Sequence, residues 1–179
     1  MEFFDVLDEN GNKTGEVRSR EEVHRLGLWH RTVHVWMVNS HGHLLIQRRA
    51  LDRPTGAGKW DISAAGHIET GQESVSGALM ELEEELGLTF EPHQLELLFT
   101  IRRPPRFENG LSLCDFNDVY LVKHDIDASQ IQFQKEEVAQ VRWIAFEELE
   151  QIIQSKNSLF VEHTEEYKKL FAILHKRYG

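Results

Sequence analysis

The segment from Gly66 to Leu88 constrains the fold of this chain more than any other part of the sequence. It reads GHIETGQESVSGALMELEEELGL. Glycines mark its first part as a loop, a helical pattern follows from about Ser74 to Leu86, and Gly87 is a helix stop. At about 100° per residue, one arc of roughly 100° on this helix carries three carboxylates, those of Glu81, Glu84 and Glu85. The segment therefore predicts a loop and a helix that present three acidic groups on one side.

These three carboxylates suit the binding of a divalent cation. A neighbouring apolar stripe predicts that the helix packs on a core, which would fix their position; the stripe comprises Val75, Leu79, Leu82 and Leu86. Like charges at this spacing repel by roughly a few tenths of a kcal/mol per pair, and a bound cation reverses the sign. Carboxylate oxygens suit Mg²⁺, with Mn²⁺ able to substitute. A solvated acidic face without a ligand is the alternative that these residues alone leave open.

The spacing of the segment resembles the Nudix box, the signature of the Nudix hydrolases. The positions that match the signature are Gly66, Glu81, Leu82, Glu84, Glu85, Gly87 and Leu88. The resemblance implies the Nudix fold and a Mg²⁺-dependent enzyme that cleaves a diphosphate linkage. It also implies that the metal is held by the Gly66 carbonyl together with Glu81, Glu84 and Glu85.

Two positions of the segment depart from the family signature. Gln72 stands where the family has its first Glu, and Met80 stands where it has Arg. In the family these two charges are expected to pair and to brace the loop against the helix. Removing one partner of a buried ion pair costs about 3 to 5 kcal/mol, whereas replacing both can be neutral. We therefore interpret the double change as a coherent neutral substitution that preserves the loop.

Composition limits the domain organisation and the classes of partner. A chain of 179 residues is long enough for one domain over residues 1–179. A net charge of −10 and a pI near 5.5 argue against binding to duplex nucleic acid or to an anionic membrane. The N-terminus lacks a basic region followed by an apolar run, so we expect a cytoplasmic protein. The single cysteine, Cys114, is expected to pack in the core. Monomer and homodimer both remain open.

The pattern of elements favours an α+β fold, a mixed α/β/α sandwich with an N-terminal β-hairpin at residues 1–18. Ser19 and Glu22 form a capping box that opens a short helix, which Gly27 is predicted to stop. Strands are predicted on both sides of the 66–88 segment, including one over residues 60–65. The C-terminal helices are expected at about residues 146–176. Strands and helices do not alternate strictly, which argues against a doubly wound sheet. The segment that holds Arg102, Arg103 and Arg106 is predicted to be a basic loop because Pro104 and Pro105 interrupt it.

Segments outside the box extend the resemblance to the Nudix branch that contains type I isopentenyl diphosphate isomerase and its hydrolase relatives. The stretch WHRTVHVWMVNSHGHLLIQRRALDRPTGAGKWDISAAGHIETG carries this likeness, which runs over roughly residues 2 to 150. The isomerase has an acid/base cysteine two residues before a metal-binding histidine, and here the corresponding residues are Ala65 and His67. Alanine cannot transfer a proton, so we expect no isomerase activity by the usual mechanism. Phe116 and Asp118 occupy the positions of two further acidic groups.

The same resemblance supplies candidates for substrate contacts. Arg48 and Arg49 end a strand and point to opposite faces, so only one of them can contact the phosphates. His30 aligns with a metal-binding histidine of the isomerase, His24 lies about one residue from another, and both His30 and His67 are candidates for contacts with metal or phosphate. Turn or surface positions are expected for five other histidines: His41, His43, His124, His163 and His175.

The sequence does not decide which of two carboxylates activates the water. Glu81 and Glu137 are both candidates for the general base, and Glu137 lies in a segment, KEEVAQVRW, that resembles a late Nudix loop. An exposed structural acid is the alternative for Glu137. The leading hypothesis is hydrolysis of a nucleoside diphosphate derivative or a nucleoside triphosphate. A non-catalytic nucleotide or metabolite binding module is the second hypothesis, and the isomerase is the third.

Overall fold

The N-terminal part of the chain is a β-hairpin followed by a short helix. In a computed structural model that describes residues 1–179, β1 (Phe3–Leu7) pairs antiparallel with β2 (Lys13–Ser19), and α1 spans Arg20–Leu26. The Ser19 hydroxyl caps α1 by accepting from the Glu22 amide, and the Glu22 side chain accepts from the Ser19 amide in return. Gly27 ends the helix with a left-handed φ of 66°, which confirms the predicted hairpin, cap and stop.

A seven-stranded mixed sheet forms the centre of the molecule. Its strands are β3 (His30–Val38), β4 (His43–Arg49), β5 (Trp60–Asp61), β6 (Ala64–His67), β7 (Leu95–Glu108), β8 (Leu111–Lys123) and β9 (Val138–Ala145). The hydrogen-bonded path runs β5-β4-β3-β8-β7, with β6 paired to β3 and β9 paired to β4. The pairing of β3 with β8 is parallel and the other pairings are antiparallel. The combination of one parallel pairing with several antiparallel pairings confirms that the sheet is not doubly wound.

Three helices cover the two faces of this sheet. On one face α2 (Ser74–Leu86) inserts Leu82 and Leu86 into a core that includes Val33 and Val35 of β3. On the other face α3 (Phe146–Gln154) and α4 (Thr164–Tyr178) pack on a second core. That core includes Trp36, the residue next to Val35, because successive strand side chains point to opposite faces. The layers confirm the mixed α/β/α sandwich.

Two predicted elements differ in the structure. The single strand expected over residues 60–65 is divided into β5 and β6. The division falls at Ser63, whose hydroxyl donates to the Leu45 carbonyl at 2.6 Å and accepts from the Met37 amide at 2.8 Å, so this side chain joins β3 to β4 where their own pairing is sparse. The predicted basic loop at 102–106 is wrong, because it lies within β7. The register of β7 against β8 shifts between Arg103 and Arg106, where the intervening prolines cannot donate to the ladder.

Two further expectations concern the interior and the membrane. Cys114 is buried and free, and its thiol lies 3.1 Å from the Gly27 carbonyl oxygen, so the expected packing role is confirmed. None of the helices combines the length and the apolar composition that crossing a bilayer requires.

Candidate functional site

A cavity of about 510 Å³ lies between the 66–88 segment, the β7–β8 hairpin, the loop that follows β4 and the segment that leads into α4. Ten acidic side chains and six arginines line it, together with five histidines. The acids outnumber the arginines, so the cavity as it stands favours cations. An anion with several charges would need a cation to accompany it.

Gly66 and Glu81 bring the loop and the helix of the box into direct contact. A Cβ atom placed on Gly66 would overlap the carboxyl group of Glu81, so this position has no room for a side chain. A Cβ on Gly77 would in turn overlap the Ile68 side chain, which shows how closely α2 approaches the loop. The glycine at 66 therefore allows Glu81 to lie against the backbone at the cavity wall.

The carboxyl groups of α2 lie in an environment that disfavours negative charge. Burial, followed by the charges of Glu85 and Glu84, raises the pKa of Glu81 to about 9. Burial also raises the pKa of Glu85 to about 8, and the pKa of Glu84 is raised by burial and by the nearby charge of Glu137. Without a cation Glu81 and Glu85 retain their protons to pH values well above the ordinary range of a glutamate, whereas a bound cation favours the charged form.

The structure separates the three predicted metal-binding acids. Glu81 and Glu84 line the cavity together with Gly66. Glu85 does not line it; its side chain is buried and accepts a short hydrogen bond from the amide of Gln47. The sequence predicted that the three acids share one side of the helix. In the structure Glu85, the last of them, points into the core because it faces Gln47 of β4.

Glu137 lines the same cavity just before β9. Its carboxylate forms an ion pair with Arg53 at 3.1 Å, and its backbone carbonyl accepts a hydrogen bond from the Ala50 amide at 2.9 Å. The side chain is therefore held by the loop that follows β4, close enough to α2 for its charge to act on Glu84.

Gln72 and Met80 lie close together where the family signature has two charges. The Gln72 amide nitrogen is 3.6 Å from the Met80 sulfur, and the Gln72 amide oxygen accepts from the Glu69 backbone amide at 3.1 Å. A neutral contact thus joins the loop to the helix at these two positions.

One of the two neighbouring arginines faces the cavity. Arg49 lines it, donates to the Thr55 carbonyl at 2.9 Å and lies 3.3 Å from the carboxylate of Asp61. Arg48 lies outside the cavity lining, is exposed and donates to the Gly58 carbonyl at 2.9 Å. The alternation along β4 accounts for the difference.

Three imidazoles meet on the wall formed by α1, β3 and β6. One ligand atom each from His24, His30 and His67 lies within 4.8 Å of the others. Phe4 stacks on His30 and His67 at centroid distances of 5.5 and 4.9 Å. Burial lowers the pKa of all three histidines, to about 4 for His24, whose Nε2 has no hydrogen-bond partner. His24 completes this trio because the capped helix α1 directs it inward.

The acidic residue that β8 contributes to the cavity is Asp115. It accepts from Thr32 at 2.6 Å and pairs with Arg103 and Arg106. Asp118, which occupies the position of an acidic group of the isomerase, lies on the opposite face of the sheet and is held by Arg31 at 2.8 Å. Asp115 and Asp118 are three residues apart on β8, and an odd separation along a strand places two side chains on opposite faces.

His163 is not the surface residue that was expected. Its side chain is 10% exposed, lines the cavity and lies with its Nε2 2.8 Å from the Asp61 carboxylate. Burial opposes the charged form of His163, but Asp61 outweighs that effect and raises its pKa. His34 lies beside it at a ring distance of 5.0 Å and contacts Glu166. No local signal could have shown this, because the pairs join distant parts of the chain.

Comparison with known proteins gives consistent matches over nearly the whole chain. A model of the NUDIX domain matches residues 28–163. Nudix hydrolase 3 of Arabidopsis thaliana is 41% identical over 182 residues; the match covers 98% of this chain but only 24% of that protein. An uncharacterized Nudix hydrolase of Listeria monocytogenes is 37% identical over 150 residues, which cover 84% of this chain and 83% of that protein.

The isomerase branch and a solved structure also match. An isopentenyl-diphosphate Delta-isomerase of Pectobacterium atrosepticum is 32% identical over 146 residues, covering 82% of this chain and 78% of that protein. A crystal structure of a Deinococcus radiodurans protein superposes with a TM-score of 0.73 at 20% identity, covering 99% of this chain and all of that one. These matches agree with the fold and with the resemblance drawn from the sequence.

Proposed function

Because this chain belongs to the Nudix hydrolases, a family of pyrophosphohydrolases, we propose that it cleaves a diphosphate linkage with the help of Mg²⁺. The proposed substrate is a nucleoside diphosphate derivative or a nucleoside triphosphate. The observation that carries the proposal is the contact of Glu81 with Gly66 at the wall of an acidic cavity, beside Glu84.

The donor set at this wall fits a hard divalent cation. The Gly66 carbonyl, Glu81 and Glu84 supply oxygen atoms, which Mg²⁺ prefers, and Mn²⁺ can substitute. Glu85 remains in the proposal as a neighbour of Glu81 whose ionisation raises the pKa of Glu81, since its own carboxyl group contacts Gln47. When bound, the cation would neutralise phosphate oxygens and lower the pKa of a coordinated water.

The other residues of the cavity bind and orient the substrate. We assign phosphate contact to Arg49, which faces the cavity, and leave Arg48 out because it lies outside the lining. His30 and His67 are assigned to metal or phosphate contact. We assign the general base to Glu137, with Glu81 as the alternative; the ion pair with Arg53 holds the Glu137 carboxylate in place at the cavity.

The isomerase reaction is not proposed. Ala65 lines the cavity at the position of the isomerase cysteine and has no proton to transfer. The trio of histidines alone does not supply the missing acid.

A substrate panel with matched variants tests the proposal. The full chain is incubated with Mg²⁺ and nucleoside di- and triphosphates, nucleotide sugars, dinucleoside polyphosphates and isopentenyl diphosphate, and the products are followed by mass spectrometry. The expected result is cleavage of at least one nucleotide by the native chain and by Glu83→Gln, whose side chain is exposed on the same helix, with loss of cleavage in Glu84→Gln. Binding of a nucleotide without any product would instead support the binding module.

A further inference from the structure

A second cluster of metal-ligating side chains lies in the cavity, apart from the acids of α2 and from the histidine trio. It consists of His34 on β3, His163 immediately before α4, and Glu166 in the first turn of α4. One ligand atom from each lies within 4.8 Å of the others, and all three side chains line the cavity. Strand β3 and helix α4 are packed on the same apolar core, so the donors are held on rigid elements.

Each imidazole of this cluster has a carboxylate on one nitrogen only. His34 Nδ1 lies 2.7 Å from Glu166 Oε2, and His163 Nε2 lies 2.8 Å from Asp61 Oδ1. The other nitrogen of each ring has no protein hydrogen-bond partner. Histidines that bind metals nearly always donate their second ring nitrogen to a carboxylate or carbonyl, which fixes the ring. Each of the two rings has one nitrogen beside a carboxylate and keeps its other nitrogen without a protein partner.

The surrounding contacts hold the two carboxylates in place. Glu166 Oε1 accepts from the Trp36 indole at 2.8 Å, and the Asp61 carboxylate is 3.3 Å from Arg49. Both acids are buried, so their orientation is set by these donors. The excess of acids over arginines around the cavity also favours a cation over an anionic ligand.

We propose that His34 and His163 bind a divalent transition metal of the Zn²⁺ class through the ring nitrogens that contact no carboxylate. Imidazole nitrogens suit Zn²⁺ and similar ions, whereas the all-oxygen acids of α2 suit Mg²⁺. Glu166 orients His34 and Asp61 orients His163, each through the opposite ring nitrogen. The site does not depend on the proposed hydrolysis, because its test measures metal binding and not turnover.

Co²⁺ serves as the probe because its weak visible absorption in water shifts and intensifies when protein ligands replace water and lower the coordination number. The full chain is freed of metal with a chelator, supplied with excess Mg²⁺ to occupy the acids of α2, and titrated with Co²⁺. The titration is done in a His30→Gln background, which removes a ligand of the histidine trio. The proposal predicts that this protein binds one equivalent of Co²⁺ with a visible spectrum, and that adding His163→Gln removes that equivalent. Adding Asp61→Asn should weaken binding by about 10- to 100-fold.

The matched control is His175→Gln, which breaks another histidine–glutamate contact of 2.7 Å on the exposed surface. It should leave the Co²⁺ titration unchanged. Circular dichroism checks that each variant is folded, and His34→Gln replaces His163→Gln if the latter does not fold. Absence of a visible spectrum in the His30→Gln protein, or an equal titration with and without folded His163→Gln, would overturn the proposal and show that the cluster only ties α4 to the sheet.

Discussion

Replacing Glu81 with Gln should stabilise the metal-free protein at neutral pH. Burial and neighbouring acids raise the pKa of the Glu81 carboxyl from an ordinary value of 4.5 to about 9 in the folded chain. The unfolded chain releases this proton near pH 4.5, while the folded chain retains it to about pH 9. Between these values the folded state binds more protons, so stability falls as the pH rises.

The magnitude follows from the same two pKa values. Each pH unit above 4.5 costs about 1.4 kcal/mol, so the upper bound at pH 7 is roughly 3 to 4 kcal/mol. Glu81→Gln removes this cost, so its gain in unfolding free energy should be near zero at pH 4.5 and should grow toward pH 7. Mg²⁺ should reverse the order by stabilising the native chain more than the variant.

Urea unfolding in chelator, followed by circular dichroism at several pH values, measures the effect. Glu83→Gln is the control, because this side chain is exposed on the same helix, and it should leave the pH dependence unchanged. If the unfolding free energies of the native chain and Glu81→Gln stayed parallel from pH 4.5 to 8, the raised pKa of Glu81 would be refuted.

Three further predictions concern the box and its core. Leu82→Ala should lower the unfolding free energy by about 2 to 5 kcal/mol in urea titrations, because Leu82 is fully buried between α2 and the sheet; no measurable loss would contradict that packing. Gly66→Ala should displace the Glu81 carboxyl and so abolish Mg²⁺-dependent hydrolysis; native activity would show that the backbone can make room. The pair Gln72→Glu with Met80→Arg should change turnover by less than about tenfold, because a neutral contact already joins these positions, and a gain of orders of magnitude would show that the native box is impaired.

Local patterns allowed the elements and the box to be predicted. The helix over Ser74–Leu86 was found at its observed bounds because loop glycines, helical periodicity and a stop glycine agree within one short segment. The capping box at Ser19 is equally local. Burial of Glu85 was not predictable, because the helical arc alone does not show that Gln47 of another strand faces that residue.

Long-range pairings account for the rest of what the sequence did not show. His163 and Asp61 are 102 residues apart, and nothing in either neighbourhood indicates their contact. The sequence also did not single out Asp115, which lines the cavity, because the face that a strand residue occupies depends on the register of the strand, which a single sequence leaves open. The prolines near Arg103 predicted a loop, but a strand accommodated them through a shift in register.

The initial rate of nucleotide hydrolysis, measured against Mg²⁺ concentration for the native chain, Glu81→Gln and Glu83→Gln, tests whether Glu81 and a divalent cation act together in cleavage. We expect no hydrolysis in chelator, a rate that saturates with Mg²⁺ for the native chain and Glu83→Gln, and a loss of at least about 100-fold for Glu81→Gln. Equal rates for Glu81→Gln and the native chain, or hydrolysis that is indifferent to Mg²⁺, would contradict this expectation.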